Sequence, residues 1–246
     1  MPCLLLKNNS LVKTVQFKNP RYVGDPINTV RIYNEQEVDE LVFLDIAAGT
    51  ENKEPPFKII AEIASECFMP FTYGGGICSL ENAKKIFALG VEKVVLNSIV
   101  VDHPELITQI SKIYGAQSVV VSIDAKKNWL GKYHVYTQGG RKKINIDPVA
   151  YAQNVVKQGA GEILLTSINQ DGMMDGYDLE LIKMVAEGVE VPVIACGGAG
   201  NLLDFKEAVQ AGASAVAAGS MVVYQGKNRA VLTSFPTRET LTKVLF

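Results

Sequence analysis

The sequence is poor in the residues that several kinds of active site require. Its 246 residues include two histidines, four cysteines and one tryptophan. His103 and His134 lie far apart in the chain, which excludes a histidine-rich metal site and disfavours a Ser-His-Asp triad. The cysteines are scattered and form no CxxC pair, which is typical of reduced thiols in a cytoplasmic protein. Acid–base chemistry is therefore expected from carboxylates, lysine, cysteine or tyrosine.

Neither an excess of one charge nor a long apolar run is present. Lys and Arg number 24 and Asp and Glu number 26, so the formal net charge is −2. This balance disfavours a nucleic-acid-binding surface, which would show a basic excess. No segment approaches the ~18 apolar residues of a membrane span, and no signal peptide is evident. We expect a cytoplasmic protein that needs no metal or cofactor and binds neither nucleic acid nor membrane.

Short apolar segments alternate with amphipathic helical stretches along the whole chain. The apolar segments are rich in β-branched residues and do not alternate with polar ones, as in strands buried on both faces of a parallel sheet. Eight such units predict an α/β protein, a (β/α)₈ TIM barrel forming one domain over residues 1–246. A β-hairpin insertion is expected after the fifth strand, with arms at 132–137 and 142–146. The predicted strands are residues 3–6, 40–46, 70–73, 93–96, 118–123, 162–167, 191–196 and 215–218.

The two halves of the chain resemble each other when one is shifted by 122 residues. Gly76 then coincides with Gly198, and Ser98 coincides with Ser220. One repeat of nearly half the chain length indicates gene duplication within a closed fold. We therefore expect two duplicated half-barrels, at about residues 1–118 and 119–246.

Each predicted half-barrel carries a glycine-rich turn after its third strand and a small polar turn after its fourth. Backbone N–H groups at a helix start bind phosphate, and glycine lets the backbone approach closely. Paired turns on one face suggest a substrate with a phosphate at each end. The alternative is that the glycines serve only tight turns between strand and helix. The candidate phosphate-binding residues are Gly76, Asn97 and Ser98 in the first half and Asp171, Gly172, Gly198, Gly219 and Ser220 in the second.

Asp124 ends the predicted fifth strand, where barrel enzymes place catalytic groups, and is a candidate general acid or base. The alternative is a structural carboxylate bonded to loop amides. The first strand matches the fifth when it is shifted by 119 residues, which places Leu5 at the position of Asp124, so only one half offers a carboxylate. Lys13 follows the first strand and could neutralise a phosphate, although an exposed loop lysine is the simpler interpretation.

Three charged residues, Glu40, Lys93 and Glu162, stand at the beginnings of predicted strands. The beginnings of the strands form the bottom of a TIM barrel, where charges usually form a salt-bridged layer. We therefore expect these side chains to meet there.

Five segments together resemble the HisF family, the cyclase subunit of imidazole glycerol phosphate synthase. This resemblance implies a barrel whose bottom docks a glutaminase subunit as a heterodimer. Ammonia then passes a charged gate and crosses the barrel to the active site at its top. The segments are DELVFLDI at 39–46, PFTYGGGI at 70–77, VVVSIDAK at 119–126, GAGEILLTSINQDGMMDGYD at 159–178 and ACGGAG at 195–200.

The resemblance also implies roles for individual residues. Glu40, Lys93 and Glu162 match three gate positions. The fourth position, an arginine upstream of the first strand, has no counterpart here, so either the gate differs or the natural chain begins further upstream. All the candidate phosphate-binding residues match family positions. Asp124 matches one of two catalytic aspartates of the cyclase, and Leu5 replaces the other.

With Leu5 in place of the aspartate, the sequence resembles a paralogous branch of HisF-like proteins found with surface-polysaccharide genes. There a glutaminase and a HisF-like protein are thought to supply ammonia to an ATP-dependent amidotransferase that makes acetamidino sugars. Three functions stay open, and such an ammonia conduit is favoured. The second is an active cyclase, which closes a bisphosphorylated substrate into imidazole glycerol phosphate and releases an aminoimidazole carboxamide ribotide. The third is a phosphosugar isomerase built on the same duplication.

Overall fold

The computed structural model describes residues 1–49, 51, 53–226 and 228–245, and strands alternate with helices along them. The strands are β1 (Cys3–Lys7), β2 (Ser10–Val15), β3 (Lys18–Gly24), β4 (Leu41–Asp45), β5 (Phe71–Gly74), β6 (Lys93–Leu96), β7 (Val119–Lys127), β8 (Tyr133–Thr137), β9 (Lys142–Lys143), β10 (Glu162–Ser167), β11 (Val193–Cys196), β12 (Ala215–Ala217), β13 (Tyr224–Gln225) and β14 (Ala230–Val231). The helices are α1 (Pro26–Glu35), α2 (Phe57–Glu66), α3 (Leu80–Ala88), α4 (Ile99–Asp102), α5 (Glu105–Tyr114), α6 (Pro148–Lys157), α7 (Leu179–Ala186), α8 (Leu202–Gln210), α9 (Ser220–Val223) and α10 (Arg238–Leu245).

Eight parallel strands form a closed barrel in the order β1, β4, β5, β6, β7, β10, β11 and β12. The ring closes where β12 meets β1, because Cys3 N donates to Ala218 O at 2.8 Å and Ala218 N donates to Met1 O at 3.0 Å. The predicted (β/α)₈ barrel is confirmed. We call the carboxyl ends of these strands the top of the barrel and the amino ends the bottom.

Helices begin where the sequence supplies capping groups. Asp147 precedes Pro148 and accepts from Val149 N and Ala150 N at 3.0 Å, which satisfies free amides at the start of α6. Asp178 likewise accepts from Leu181 N at the start of α7, as its position before a helical stretch predicts. These caps orient the helices that cover the outside of the barrel.

Alternation along each strand divides the apolar residues into two sets. Side chains such as Leu4 and Leu6 on β1 face outward and pack under the helices. Cys3, which precedes Leu4, faces the inside of the barrel. The inward set, which we call the lumen cluster, consists of Cys3, Val42, Val95, Val120, Leu164, Ile194 and Ala217. The inside of the barrel is therefore filled by apolar side chains.

A hairpin of β2 and β3, which we call the first hairpin, follows β1 where a loop was expected. β2 pairs antiparallel with β1, with Leu5 opposite Val12. Asn8 and Asn9 make the turn with φ of 51° and 60°, the left-handed values that a type I′ turn requires. The Asn-Asn pair before an alternating segment was the signal that sequence reasoning missed.

The insertion after the fifth barrel strand is also a hairpin, whose predicted arms pair with each other through Tyr136 opposite Lys143 and through Ile144 N, which donates to Val135 O at 2.8 Å. β7 continues past the barrel to Lys127, and the predicted arm at 132–137 also pairs with that extension, with Asp124 opposite Tyr136. The predicted arm at 142–146 is shortened to the two residues of β9. We call residues 124–143 the second hairpin. The second hairpin continues from β7 and pairs with it, as the first hairpin follows and pairs with β1.

The hairpins meet above the barrel, where Gly140 of the second lies against Phe17 of the first. At the far end of the chain, β13 and β14 form a short antiparallel pair before α10. Leu241 and Leu245 of α10 pack against the outer core. Among the described residues, no helix combines the length and apolar character needed to cross a membrane.

Candidate functional site

Leu5 and Asp124 occupy equivalent positions at the top of opposite barrel strands. On β7, Val120 belongs to the lumen cluster, whereas Val121 and Ile123 face outward. Alternation therefore turns Asp124 inward, and the same rule turns Leu5 inward on β1. The carboxyl group of Asp124 and the isobutyl group of Leu5 thus face the mouth of the barrel.

The Asp124 carboxyl is buried and hydrogen-bonded. It is 8% exposed, and its Oδ2 accepts from the Asn97 side-chain amide at 3.0 Å. Its Oδ1 accepts from Ser122 Oγ at 3.4 Å. Burial raises the pKa of Asp124 to about 7, although the Asn97 and Ser122 hydrogen bonds act in the opposite direction. A carboxyl with this pKa can donate or accept a proton near neutral pH.

The raised pKa of Asp124 makes a pH-dependent contribution to stability. Between about pH 4 and pH 7 the folded protein retains a proton that the unfolded chain releases, because the pKa rises from 3.8 to about 7 on folding. The free energy of unfolding should therefore fall as the pH rises through this window. Urea unfolding of wild type and Asp124→Asn should show this decline in wild type only. An equal decline in both proteins would contradict the raised pKa.

The carboxylate of Asp45, beside position 5 on the neighbouring strand, is engaged by backbone amides. Asp45, at the top of the neighbouring strand β4, accepts from Ala47 N at 2.8 Å and Ala48 N at 3.0 Å. Its carboxylate therefore shapes the loop after β4. This geometry favours the structural role over the alternative in which Asp45 polarises a substrate.

The simpler interpretation of Lys13 as an exposed loop residue is wrong. Lys13 lies on β2 and is 6% exposed. Because β2 runs beside β1 above the end of β12, the Lys13 ammonium reaches Gly219, and a side chain at position 219 would collide with Nζ. Ser220 is 6% exposed, and its Oγ has no hydrogen-bond partner among the described residues. A cation and an unpaired hydroxyl thus converge on the second-half turn.

Asp171 and Gly172 hold the first hairpin in place. Asp171 Oδ2 accepts from Thr14 Oγ1 at 2.8 Å and from Phe17 N at 3.2 Å. Gly172, with φ of +72°, lies against the Thr14 carbonyl, where any side chain would collide. Gly198 is placed in the same way against the Gly176 carbonyl. Asp171 and Gly172 therefore bind protein groups beside the second-half turn.

The first-half turn differs from the second because its polar side chains already have protein partners. Ser98 Oγ donates to Asn97 Oδ1 at 3.0 Å and accepts from Gln138 N of the second hairpin at 2.9 Å. The Asn97 amide donates to Asp124 and to Ser122 O. Gly76, with φ of +71°, packs against the Lys53 carbonyl. The two predicted phosphate turns are thus chemically unequal.

The predicted salt-bridged layer at the bottom of the barrel is present. Lys93 Nζ lies 2.9 Å from Glu162 Oε1 and 3.1 Å from Glu40 Oε2. Thr72 Oγ1 donates to Glu40 Oε1 at 2.7 Å. Burial by itself would lower the pKa of Lys93, but its two carboxylate partners outweigh burial and raise it. The raised pKa keeps the Lys93 ammonium charged, and the ion cluster sits below the lumen cluster. In the part of the chain that the structure describes, no group of three or more His, Cys, Asp and Glu side chains could hold a metal ion.

The chain is similar in sequence to a known family and to several named proteins. The model of a family described as "Histidine biosynthesis protein" matches residues 1–229. A Pseudomonas aeruginosa protein provisionally named imidazole glycerol phosphate synthase subunit hisF2 is 52% identical over 96% of this chain and 94% of its own length. A Leptospira interrogans protein, provisionally named subunit HisF of the same synthase, is 47% identical over 97% and 95%. Petrotoga mobilis imidazole glycerol phosphate synthase subunit HisF is 47% identical over 89% and 87%.

Proposed function

The chain belongs to the histidine biosynthesis protein family as a HisF-like subunit, and we propose that it conducts ammonia from a glutaminase to a separate enzyme. The observation that carries this proposal is Leu5 at the mouth of the barrel, in the inward position opposite Asp124. An alkyl side chain cannot transfer a proton, so the cyclisation that needs two acid–base groups has lost one of them.

The bottom and inside of the barrel support a role in conduction. The ion cluster of Glu40, Lys93 and Glu162 lies at the bottom of the barrel, where an ammonia entrance would be gated. Above it, the lumen cluster offers apolar walls, which suit uncharged ammonia and disfavour ammonium ion. Leu5 extends the apolar character to the exit. We infer that a glutaminase docks at the bottom, consistent with relatives that are named as subunits of a synthase.

For the acceptor of the ammonia, we propose an ATP-dependent sugar amidotransferase of surface-polysaccharide synthesis. The site has Asp124 but no carboxylate at position 5, so ammonia does not meet a complete cyclase site in this chain. The first-half turn has its side chains engaged by Asp124 and the second hairpin, so a bisphosphorylated substrate would find only the second-half turn unengaged. Ammonia that leaves the mouth is then available to another enzyme.

An active cyclase is the second candidate, and particular observations favour it. Asp124 has a pKa of about 7, as an acid–base group needs. The second-half turn brings Lys13 and the unpaired Ser220 hydroxyl together, as a phosphate site would. The third candidate, a phosphosugar isomerase, meets the same objection that one aspartate is missing, and it would give the ion cluster at the bottom no role beyond stability.

The proposal is tested by reconstituting amidation with three purified proteins: a glutaminase, this chain and the sugar amidotransferase of the same gene cluster. Glutamine-driven amidation should need all three, because ammonia released elsewhere is diluted into solvent. Ammonium chloride should drive the amidotransferase alone at the same rate with or without the other two. A glutamine-driven rate that is unchanged when this chain is omitted would overturn the proposal.

A further inference from the structure

The second hairpin carries a concentration of positive charge that the rest of the chain does not share. Residues 126–143 hold six cations and no acidic residue, whereas the whole chain has a formal net charge of −2. The Lys127 ammonium is paired with Glu180 on α7, and the other five cationic residues are exposed. The cations are Lys126, Lys127, Lys132, Arg141, Lys142 and Lys143. This surface attracts an acidic partner.

The tip of the second hairpin presents two large apolar side chains to water. Trp129, the chain's only tryptophan, is 90% exposed and Leu130 is 61% exposed. Asn128 Oδ1 accepts from Leu130 N and Lys132 N, both at 2.9 Å, so the turn that holds them is hydrogen-bonded. Exposed aromatic groups of this kind mark interaction sites, and tryptophan is among the commonest anchors of protein interfaces.

A cleft of about 400 Å³ lies directly beside this tip, between the second hairpin and α7, and is lined by apolar groups together with Lys132, Asp147 and Glu180. Met184, 38% exposed on α7, forms one wall. The opposite wall consists of Tyr133 and His134 of β8, and Ile146 and Pro148 close the end. The protruding tip and adjacent cleft form a surface that a protein can match in shape, whereas a nucleic-acid backbone gains little from Leu130 and Met184.

The position of the second hairpin relates this surface to the mouth of the barrel. The hairpin is the continuation of β7 beyond Asp124, and Tyr136 pairs with Asp124 in the strand register. Its backbone also caps the first-half turn through Gln138 N and Ser98 Oγ. A protein bound to the hairpin would therefore stand beside the opening from which ammonia leaves.

We propose that the second hairpin is the docking site of the ammonia-consuming enzyme, through an acidic surface with an apolar pocket for Trp129. This inference rests on the proposed function, because it names the surface by which the conduit delivers its ammonia. Trp129 and Leu130 supply the contact area, and the five exposed cations steer the acidic partner to it.

Binding of the amidotransferase to the complex of this chain with its glutaminase tests the site. The double variant W129A/L130A should bind at least about 30-fold more weakly, the effect of truncating an interface anchor. Glutamine-driven amidation should fall with binding, and ammonium-driven amidation should not change. Leu203→Ala is the matched control, because Leu203 on α8 is 63% exposed, and it should bind like wild type. Reversing charge with K126E/K132E/K142E should slow association and remove most of its salt dependence.

A single-site spectroscopic readout separates docking from indirect effects. With 5-fluorotryptophan incorporated into this chain only, Trp129 gives one fluorine resonance, which should shift when the amidotransferase is added. No shift, together with wild-type binding by W129A/L130A, would overturn the docking site while leaving glutamine-driven coupling and the proposed function intact. If wild type fails to couple glutamine to amidation, both fail. Tighter binding of a labelled DNA duplex than of the amidotransferase, abolished in W129A/L130A, would assign the hairpin to nucleic acid instead.

Discussion

Purified chain supplied with ammonium and the bisphosphorylated cyclase substrate should turn over at least about 100-fold more slowly than a HisF protein with both catalytic aspartates. The expected deficit follows from Leu5, because removing one positioned acid–base group costs about 10²–10⁴ in rate. Asp124 can still exchange a proton near neutral pH, but it acts from one side of the mouth only. Steady-state assay of imidazole glycerol phosphate formation measures the difference.

The variant Leu5→Asp examines whether the rest of the cyclase site survives. It restores a carboxylate opposite Asp124 and should raise turnover at least about tenfold if the second-half turn still binds phosphate. Leu44→Asp is the control, since Leu44 pairs with Leu5 in the strand register and places a carboxylate on the neighbouring strand. It should give no gain. Wild-type turnover within about tenfold of a two-aspartate relative would establish the cyclase function and exclude the conduit.

Replacing Lys93 with alanine should lower the free energy of unfolding by roughly 2–4 kcal/mol, because it leaves two carboxylates close together without their cation. Lys93, Glu40 and Glu162 side chains are 19%, 14% and 17% exposed. This residual exposure places the effect toward the lower end of what breaking a fully buried ion pair costs. Urea unfolding at neutral pH measures the loss.

Two further variants identify the cause of the Lys93 effect. Lys84→Ala removes an exposed pair with Glu81 and should leave the free energy of unfolding nearly unchanged. The triple variant E40Q/K93M/E162Q removes all the charge together and should recover most of the stability lost by Lys93→Ala. If Lys93→Ala has the same free energy of unfolding as wild type, water and local rearrangement replace the lost cation. The cluster would then not be a stabilising layer.

The barrel could be predicted because its signals are local. The strands at 93–96 and 162–167 have the predicted bounds, since their β-branched runs are bordered by charged or polar residues. The first hairpin was missed because β2 is stabilised by pairing with β1 and by the Asp171 carboxylate, which is remote in sequence. The two predicted arms of the second hairpin do pair with each other, but the extension of β7 to Lys127, which pairs with β8 on its other side, was missed because it depends on that contact.

The sequence by itself determined the barrel, the repeat of its halves and the absence of a carboxylate at Leu5. Each depends on residue type and spacing along the chain. Only the tertiary structure decided that Lys13 is buried against Gly219, that the Ser98 hydroxyl is engaged while that of Ser220 is not, and that Asp124 titrates near neutrality. These properties arise from burial and from contacts between residues remote in sequence, and chain closure in the barrel is what brings those residues together.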